Sequence, residues 1–227
     1  MAQQRELSGA VVAVVGATGG LGSQIADALT ERGAVVVAVN KSGSSTTRPI
    51  DVVVDVRDAS AGEAIVEFAT ATHGRLDGVI VASGIVAFGA VDDTDDITVE
   101  ELFLTNSMGP MWLANRVGAS LAESQGFFVN ISGVVAAAPM PGMAAYSASK
   151  AAAAAALESL RKEWRRSKVQ VLDVQPPHTE TGLATRPLAG QAPSMPEGLA
   201  PRSVAERIVA AIEAGETHVS ADGFGAA

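Results

Sequence analysis

The sequence predicts a doubly wound α/β fold: one parallel sheet with helices on both faces. Three observations carry that expectation. Short runs rich in Val and Ile alternate with helix-length stretches from one end of the chain to the other, the pattern of repeated strand–helix–strand units. The first run ends in a glycine-rich turn that leads straight into a helix. Finally, 227 residues at 48% hydrophobic content suffice for one sizeable core and are too few for two comfortable ones. A single domain over residues 1–227 is therefore expected.

Residues 10–15 are continuously apolar, as a strand buried on both faces must be. A helix is expected over 21–32, stopped by Gly33, and a second strand over 35–39. Residues 40–48 are rich in Ser, Thr and Gly and predict a loop, followed by a third strand at 52–54 ending at Asp55. The pattern continues with a helix at 61–72, a strand at 78–82 and one long helix over 99–121. Next come a strand at 126–131, a helix at 145–166, a strand at 169–174, a Pro/Gly-rich loop, a helix at 203–214 and a last strand at 217–220.

Composition excludes several function classes. A formal net charge of −9 gives a surface that repels nucleic acid and anionic lipid, so neither is expected as a partner. The chain has no cysteine, which removes thiolate metal sites, disulfides and cysteine nucleophiles. His73, His178 and His218 are far apart in sequence, and no metal site is expected. The acidic run at 92–96 suits the capping of a helix start better than a metal. The apolar start at residue 10 is too short for a membrane span and lacks the basic flank of a signal peptide, so a cytoplasmic protein is expected.

The turn after the first strand reads Gly16-Ala17-Thr18-Gly19-Gly20-Leu21-Gly22. A sharp turn, a close backbone approach and a helix start aimed at the same point make a pyrophosphate cradle. Downstream, Tyr146 and Lys150 are four positions apart on a predicted helix and share one face. A phenol can donate a proton to a carbonyl that receives hydride, or accept one from an alcohol that loses it. A neighbouring ammonium favours the phenolate and draws the phenol's pKa down from about 10.

Taken together, the turn and the Tyr146-Ser147-Ala148-Ser149-Lys150 motif resemble the short-chain dehydrogenase/reductase family, in its short single-domain class with a Rossmann-like sheet. The resemblance implies an oxidoreductase that interconverts a carbonyl and an alcohol on a small, apolar substrate, with Tyr146 as acid/base and Lys150 beside it. It assigns Gly16, Thr18, Gly19, Gly20, Leu21 and Gly22 to the cofactor. Asp55 and Val56 correspond to the pair that meets adenine, and Ala82, Ser83 and Gly84 to the turn after strand four. Val15 and Ala82 replace a threonine and an asparagine usual in the family. Asn40 stands where NAD-binding members carry an acid, and Lys41 follows it; this favours NADP(H), with NAD possible, unless Lys41 is only a solvated loop charge.

Asn106 matches the asparagine whose backbone carbonyl holds a relay water next to the lysine. Pro176, Thr179 and Thr181 match the loop that meets the nicotinamide, with Pro177 in place of glycine. The family's substrate-binding serine falls thirteen positions before the tyrosine, and here that position is Gly133. Either Ser132 reaches the substrate through a shifted loop, His178 substitutes, or the donor is missing; neighbouring strand-end side chains point apart, which counts against Ser132. His178 beside prolines otherwise caps or packs. Residues 182–199 form an expected lid carrying Leu183, Leu188 and Met195, with Met140, Pro141 and Met143 either on the opposite wall or filling core gaps. The two long helices imply a homodimer or homotetramer. Against the enzyme stands a second reading, a cofactor-binding regulatory or sensor protein with weakened catalysis, which Gly133, Ala82 and Pro177 favour.

Overall fold

The structure, a computed structural model, describes residues 4–42 and 48–225. Seven parallel strands form one sheet in the order β3-β2-β1-β4-β5-β6-β7. They are β1 Val11–Val15, β2 Val35–Asn40, β3 Val52–Val53, β4 Gly78–Val81, β5 Phe127–Ile131, β6 Gln170–Val174 and β7 His218–Val219. Residues 43–47 of the expected loop lie outside the described residues.

Side chains alternate along each strand, so each face of the sheet collects its own core. Val12 and Val14 of β1, Ile80, Val129 and Leu172 pack with α1 (Gly20–Glu31) and α6 (Pro201–Glu213). Val11, Ala13, Val79, Phe128 and Val171 pack on the other face with α2 (Ala61–His73) and with the helices that follow β4 and β5. Gly22 shows why α1 lies so close to the sheet: a Cβ there would come within 2.1 Å of the Gly16 carbonyl oxygen.

The helix expected over 99–121 is instead two. α3 (Asp96–Phe103) and α4 (Gly109–Ser124) are separated by a π-helical turn over Leu104–Met108. The physical reason is in the sequence. Pro110 has no N–H, so it cannot donate to the carbonyl of Asn106 four residues earlier, and the ladder shifts register ahead of it. Asp95 caps α3, accepting from the Thr98 N–H at 2.6 Å, which is the role expected of the acidic run. The last long helix, α5, spans Ala144–Trp164. Among the described residues no helix is long and apolar enough to cross a membrane.

Strand order reverses between β2 and β4, on either side of β1, and the turns after β1 and β4 lie together at their carboxyl ends. A Cβ on Gly16 would sit 2.9 Å from the Ser83 amide nitrogen. In open α/β sheets this switch point is where ligands bind.

Candidate active site

Four segments converge at the switch point: the turn after β1, the loop after β4, the N-terminal half of α5 and the loop after β6. Gly16 adopts φ +87°, which the left-handed region allows to glycine at little cost. α1 then starts with no side-chain cap and no acidic residue in its first turn, leaving its N–H groups and dipole open to an anion. Gly20 is covered from above by the loop after β6; a Cβ there would meet the Thr181 carbonyl oxygen at 2.3 Å. Sequence assigned Gly20 to a cofactor, and the structure adds that the chain's own backbone demands glycine there.

Asn106 is buried at the π turn and clamps the loop after β4. Its Oδ1 accepts from the Ile85 N–H at 3.0 Å, while its Nδ2 donates to the Ile85 carbonyl at 2.9 Å and to the Ser149 hydroxyl at 3.0 Å. Ser149 in turn donates to the Tyr146 carbonyl at 2.7 Å. Ser149 was missed by sequence reasoning, although its place one helical turn from Tyr146 was a readable signal. Gly84 lies between Asn106 and Lys150: a Cβ there would be 3.2 Å from Lys150 Nζ and 3.3 Å from Asn106 Oδ1. Asn106, Gly84 and Lys150 are thus brought together, and Asn106 reaches the Tyr146 backbone through Ser149.

Tyr146 packs with Val86, Phe88, Leu102, Val135 and Met143, and with Leu183, Ala184, Ala189 and Ala192 of the 182–199 segment. Backbone hydrogen bonds hold that segment down: Leu188 N–H donates to the Val86 carbonyl at 2.8 Å, and Phe88 N–H to the Ala189 carbonyl at 2.9 Å. Not all of the expected lining faces inward. Leu188 and Met140 are exposed; at Leu188 the backbone pairing of residues 86–88 with 188–189 turns the side chain outward. Met195 lies with His178 around a small cavity between the loop after β6 and residues 182–197.

Burial pushes the Tyr146 phenol up to about 12. The expected lowering by a neighbouring ammonium is not what the structure shows, because Lys150 is engaged elsewhere, its Nζ donating to the Ile131 carbonyl at 2.8 Å. Burial draws Lys150 down to about 8, with the charge of Asp173 opposing the fall.

Ser132 is not brought to Tyr146. It is fully buried, and its hydroxyl donates to Asp173 Oδ1 at 2.5 Å. Alternation is the cause: Ser132 follows Phe128 and Asn130 onto the sheet face beneath α5. Gly133 holds the serine position with φ +78°, and both Ser132 and Gly133 donate their N–H to the Val174 carbonyl, at 2.9 and 3.1 Å. His178 does not substitute either, since its Nε2 pairs with Glu180 Oε1 at 3.1 Å.

At the far end of the crevice, Asp55 is not a free acceptor. Arg57 grips its carboxylate, with Nη2 at 2.7 Å from Oδ2, and holds its carboxyl below the usual range. Arg57 also binds Glu101, so Asp55 and Arg57 belong to one surface network. Val56 is buried beside them. Asn40 ends β2 with its side-chain amide donating to the Ser42 carbonyl at 3.2 Å, and Lys41 is exposed, its charge acting on Asp55. In the loop after β6 the Pro176 carbonyl accepts from the Val134 N–H at 3.0 Å, and the Thr179 hydroxyl donates to the Pro177 carbonyl at 2.9 Å.

A seven-stranded parallel sheet with a tyrosine–lysine pair beside its switch point defines an α/β oxidoreductase. Residues 10–191 match the family described as short chain dehydrogenase, and the chain belongs to that family. It is 33% identical over 198 residues to an uncharacterized oxidoreductase of Methylorubrum extorquens, covering 82% of this chain and 79% of the relative. Among solved structures it resembles a short chain dehydrogenase from Burkholderia cenocepacia in complex with NADP, at a TM-score of 0.83, 25% identity and coverage of 96% and 90%. The fold is shared also with a 3-ketoacyl-(acyl-carrier-protein) reductase from Brucella melitensis complexed with NADH, at a TM-score of 0.83, 20% identity and coverage of 96% and 99%.

Proposed function

We propose that this chain is an NADP(H)-preferring oxidoreductase that interconverts a carbonyl and an alcohol on a small apolar substrate, with Tyr146 as the acid/base. The observation that carries this reading is the setting of Tyr146: a protonated phenol, enclosed by apolar side chains of the loop after β4 and of residues 182–192, one helical turn from Lys150. The apolar side chains of that cluster are matched to a small apolar substrate.

The residues present fit a nicotinamide dinucleotide. The uncapped start of α1 suits a pyrophosphate, and the Ser83 hydroxyl beside Gly16 is buried without a hydrogen-bond partner among the described residues. Gly16, Thr18, Gly19, Gly20, Leu21 and Gly22 would hold the phosphates, and Asn40 and Lys41 the adenosine ribose. Ala82, Ser83 and Gly84, with Pro176, Thr179 and Thr181, would flank the nicotinamide. Bound there, the dinucleotide supplies or accepts the hydride. Tyr146 gives the proton to the carbonyl oxygen, Lys150 supplies positive charge behind it, and Asn106 fixes the loop that carries Gly84. Residues 182–199 act as the lid that keeps water out. Lys41, with no acid at the end of β2, favours the 2′-phosphate of NADP(H).

A second reading, a cofactor-binding sensor with weakened catalysis, is favoured by one specific observation: Gly133 and Ser132 leave the substrate oxygen without its serine donor. Turnover of a panel of ketones and aldehydes with NADPH and NADH separates the two. Reduction abolished in Tyr146→Phe supports the enzyme; NADPH binding with no turnover of any substrate supports the sensor. The acidic charge suits a protein acting on a small molecule without nucleic acid or membrane, and the long helices of the family resemblance suit a cytoplasmic homodimer or homotetramer.

A further inference from the structure

Beneath α5, on the sheet face that this helix covers, lies a buried polar group outside the residues assigned to cofactor and substrate. Asp173 pairs in register with Asn130 across β5 and β6, so their side chains point to the same face. Two residues earlier, Phe128 and Val171 place that face under α2, α4 and α5. Asp173 is 4% exposed, and its two oxygens are shared out: Oδ1 accepts from Ser132 at 2.5 Å, and Oδ2 accepts from Gln175 Nε2 at 2.9 Å. From β7 the His218 Nδ1 stands 3.7 Å from Oδ2. From α5 come Lys150, whose charge Asp173 feels, and Arg161, which donates to the Thr217 carbonyl next to His218. Facing Lys150 itself are the Ile131 carbonyl at 2.8 Å and, across Gly84, the amide of Asn106.

A carboxylate taken this far from water is expensive unless a cation shares its field. The neighbours that touch it directly are a hydroxyl, a neutral amide and a histidine at the sheet edge. Lys150 is the buried cation whose charge shares that field, without touching the carboxylate. The two are also joined mechanically. Lys150 bonds the carbonyl of Ile131, and the next residue, Ser132, is tied to Asp173. Asn130 Nδ2 and Ser147 Oγ, from the same sheet face and from α5, are buried with no hydrogen-bond partner among the described residues. A dry environment with spare polar atoms strengthens the coupling between the two charges.

We propose that Asp173 is a positioning residue for the reaction: from beneath α5 its carboxylate acts on the Lys150 side chain and, through Ser132, fixes the strand end whose Ile131 carbonyl receives Lys150 Nζ. The apparent loss of Ser132 from substrate binding then has a cause, since its hydroxyl serves Asp173. This inference rests on the oxidoreductase reading for its consequence, but its physical content, the coupling of two buried charges, can be read without turnover.

The test is a pH titration of the Lys150 side chain, followed by NMR of carbon-13 lysine in the protein without added ligands. The chain has four lysines, and the Lys150 signal is assigned by its loss in Lys150→Arg. In Asp173→Asn, Lys150 should give up its proton at lower pH, so that the ratio of ammonium to amine at a fixed pH near 8 falls by roughly threefold or more. Asp173→Ser, smaller and equally neutral, must show the same displacement, which keeps the test open if Asn folds poorly. His218→Gln, with Asp173 intact, should leave Lys150 much closer to the unmutated protein. An unchanged Lys150 midpoint in both Asp173 variants overturns the proposal, whatever their activity. In the active protein the alkaline limb of kcat should move to lower pH in the same variants, a change that a loss of packing alone would not produce. If the NMR displacement is present and no carbonyl substrate turns over in the unmutated protein, the oxidoreductase reading fails and the charge coupling stands.

Discussion

Asn106 and Ser149 are joined side chain to side chain at 3.0 Å, and through Ser149 the amide reaches the backbone of Tyr146. The clamp on Ile85 and the turn that presents the phenol are therefore one structure. Asn106→Ala removes three hydrogen bonds at once, one buried and two partly buried, and leaves the Ile85 N–H and carbonyl without their partner. It should destabilise the protein by about 2–4 kcal/mol, measured by urea denaturation. Ser149→Ala, which breaks only the link between the two halves, should cost about 1 kcal/mol. Equal losses in the two variants would mean that the clamp on Ile85 contributes nothing.

Tyr146→Phe should leave the fold and NADPH binding intact and lower kcat by about 100-fold to 10,000-fold, the range for removing a positioned general acid. Because the phenol is pushed up to about 12, it remains protonated across the neutral range. Reduction should therefore show no decline below pH 8 that is traceable to Tyr146. A rate limb near pH 7 that vanishes in Tyr146→Phe would show that the phenol titrates far below its buried value.

Lys150 gives a stability prediction with a definite sign. In the folded protein it titrates near 8, against 10.5 for the ordinary side chain. Between those values the unfolded chain holds the proton and the folded chain does not, so stability rises with pH through that window. Below it the buried ammonium costs up to about 3 kcal/mol. Lys150→Met should accordingly raise the thermal midpoint at pH 7 while abolishing reduction. The gain should shrink toward pH 10. A variant less stable than the unmutated protein at pH 7 would show that the Ile131 contact and the charge of Asp173 outweigh the cost of burying the charge.

Gly133→Ser does not simply restore a lost donor. Space for a Cβ is open, with nothing within 4 Å, but the backbone at φ +78° is one that side chains rarely adopt. The substitution should cost about 1–3 kcal/mol in stability, read from the urea midpoint, and any rise in turnover should stay small. A serine that costs no stability and raises kcat tenfold or more would mean that the backbone relaxes to accept it.

Lys41→Ala should bring the affinities for NADPH and NADH closer by about tenfold, the worth of one charge-assisted contact. Fluorescence titration of both reduced cofactors checks this. Equal affinities before the substitution would remove Lys41 from the site.

Much of the fold was legible because its cues are local. The apolar run before Gly16, the glycine turn and the spacing of Tyr146 and Lys150 each depend on neighbours in sequence. The break between α3 and α4 was legible in principle through Pro110, yet the hydrophobic period runs across it, and period alone implied one helix. The candidate site was readable in its members and less so in their directions. Ser132 is one residue from the expected serine, but a single step along a strand exchanges the crevice for the underside of α5. Asp173 left no local signal, since a lone acid in an apolar strand shows its partners only after β5, β7 and α5 assemble around it. Leu188 and Met140 were assigned to the pocket by hydrophobicity, whereas the pairing of residues 86–88 with 188–189 decides that Leu188 turns out.

The backbone of Thr181 resting on Gly20 bears on the order in which the chain matures. A polypeptide emerging from synthesis has its glycine turn early, but the cover over that turn arrives only after six strands are made. An amino-terminal fragment would thus carry the motif without its roof, and any ligand seated there would meet a half-built surface. The ability to grip such a ligand belongs to the finished sheet, and cuts in the loop after β6 should reach the first turn as directly as cuts in the turn itself.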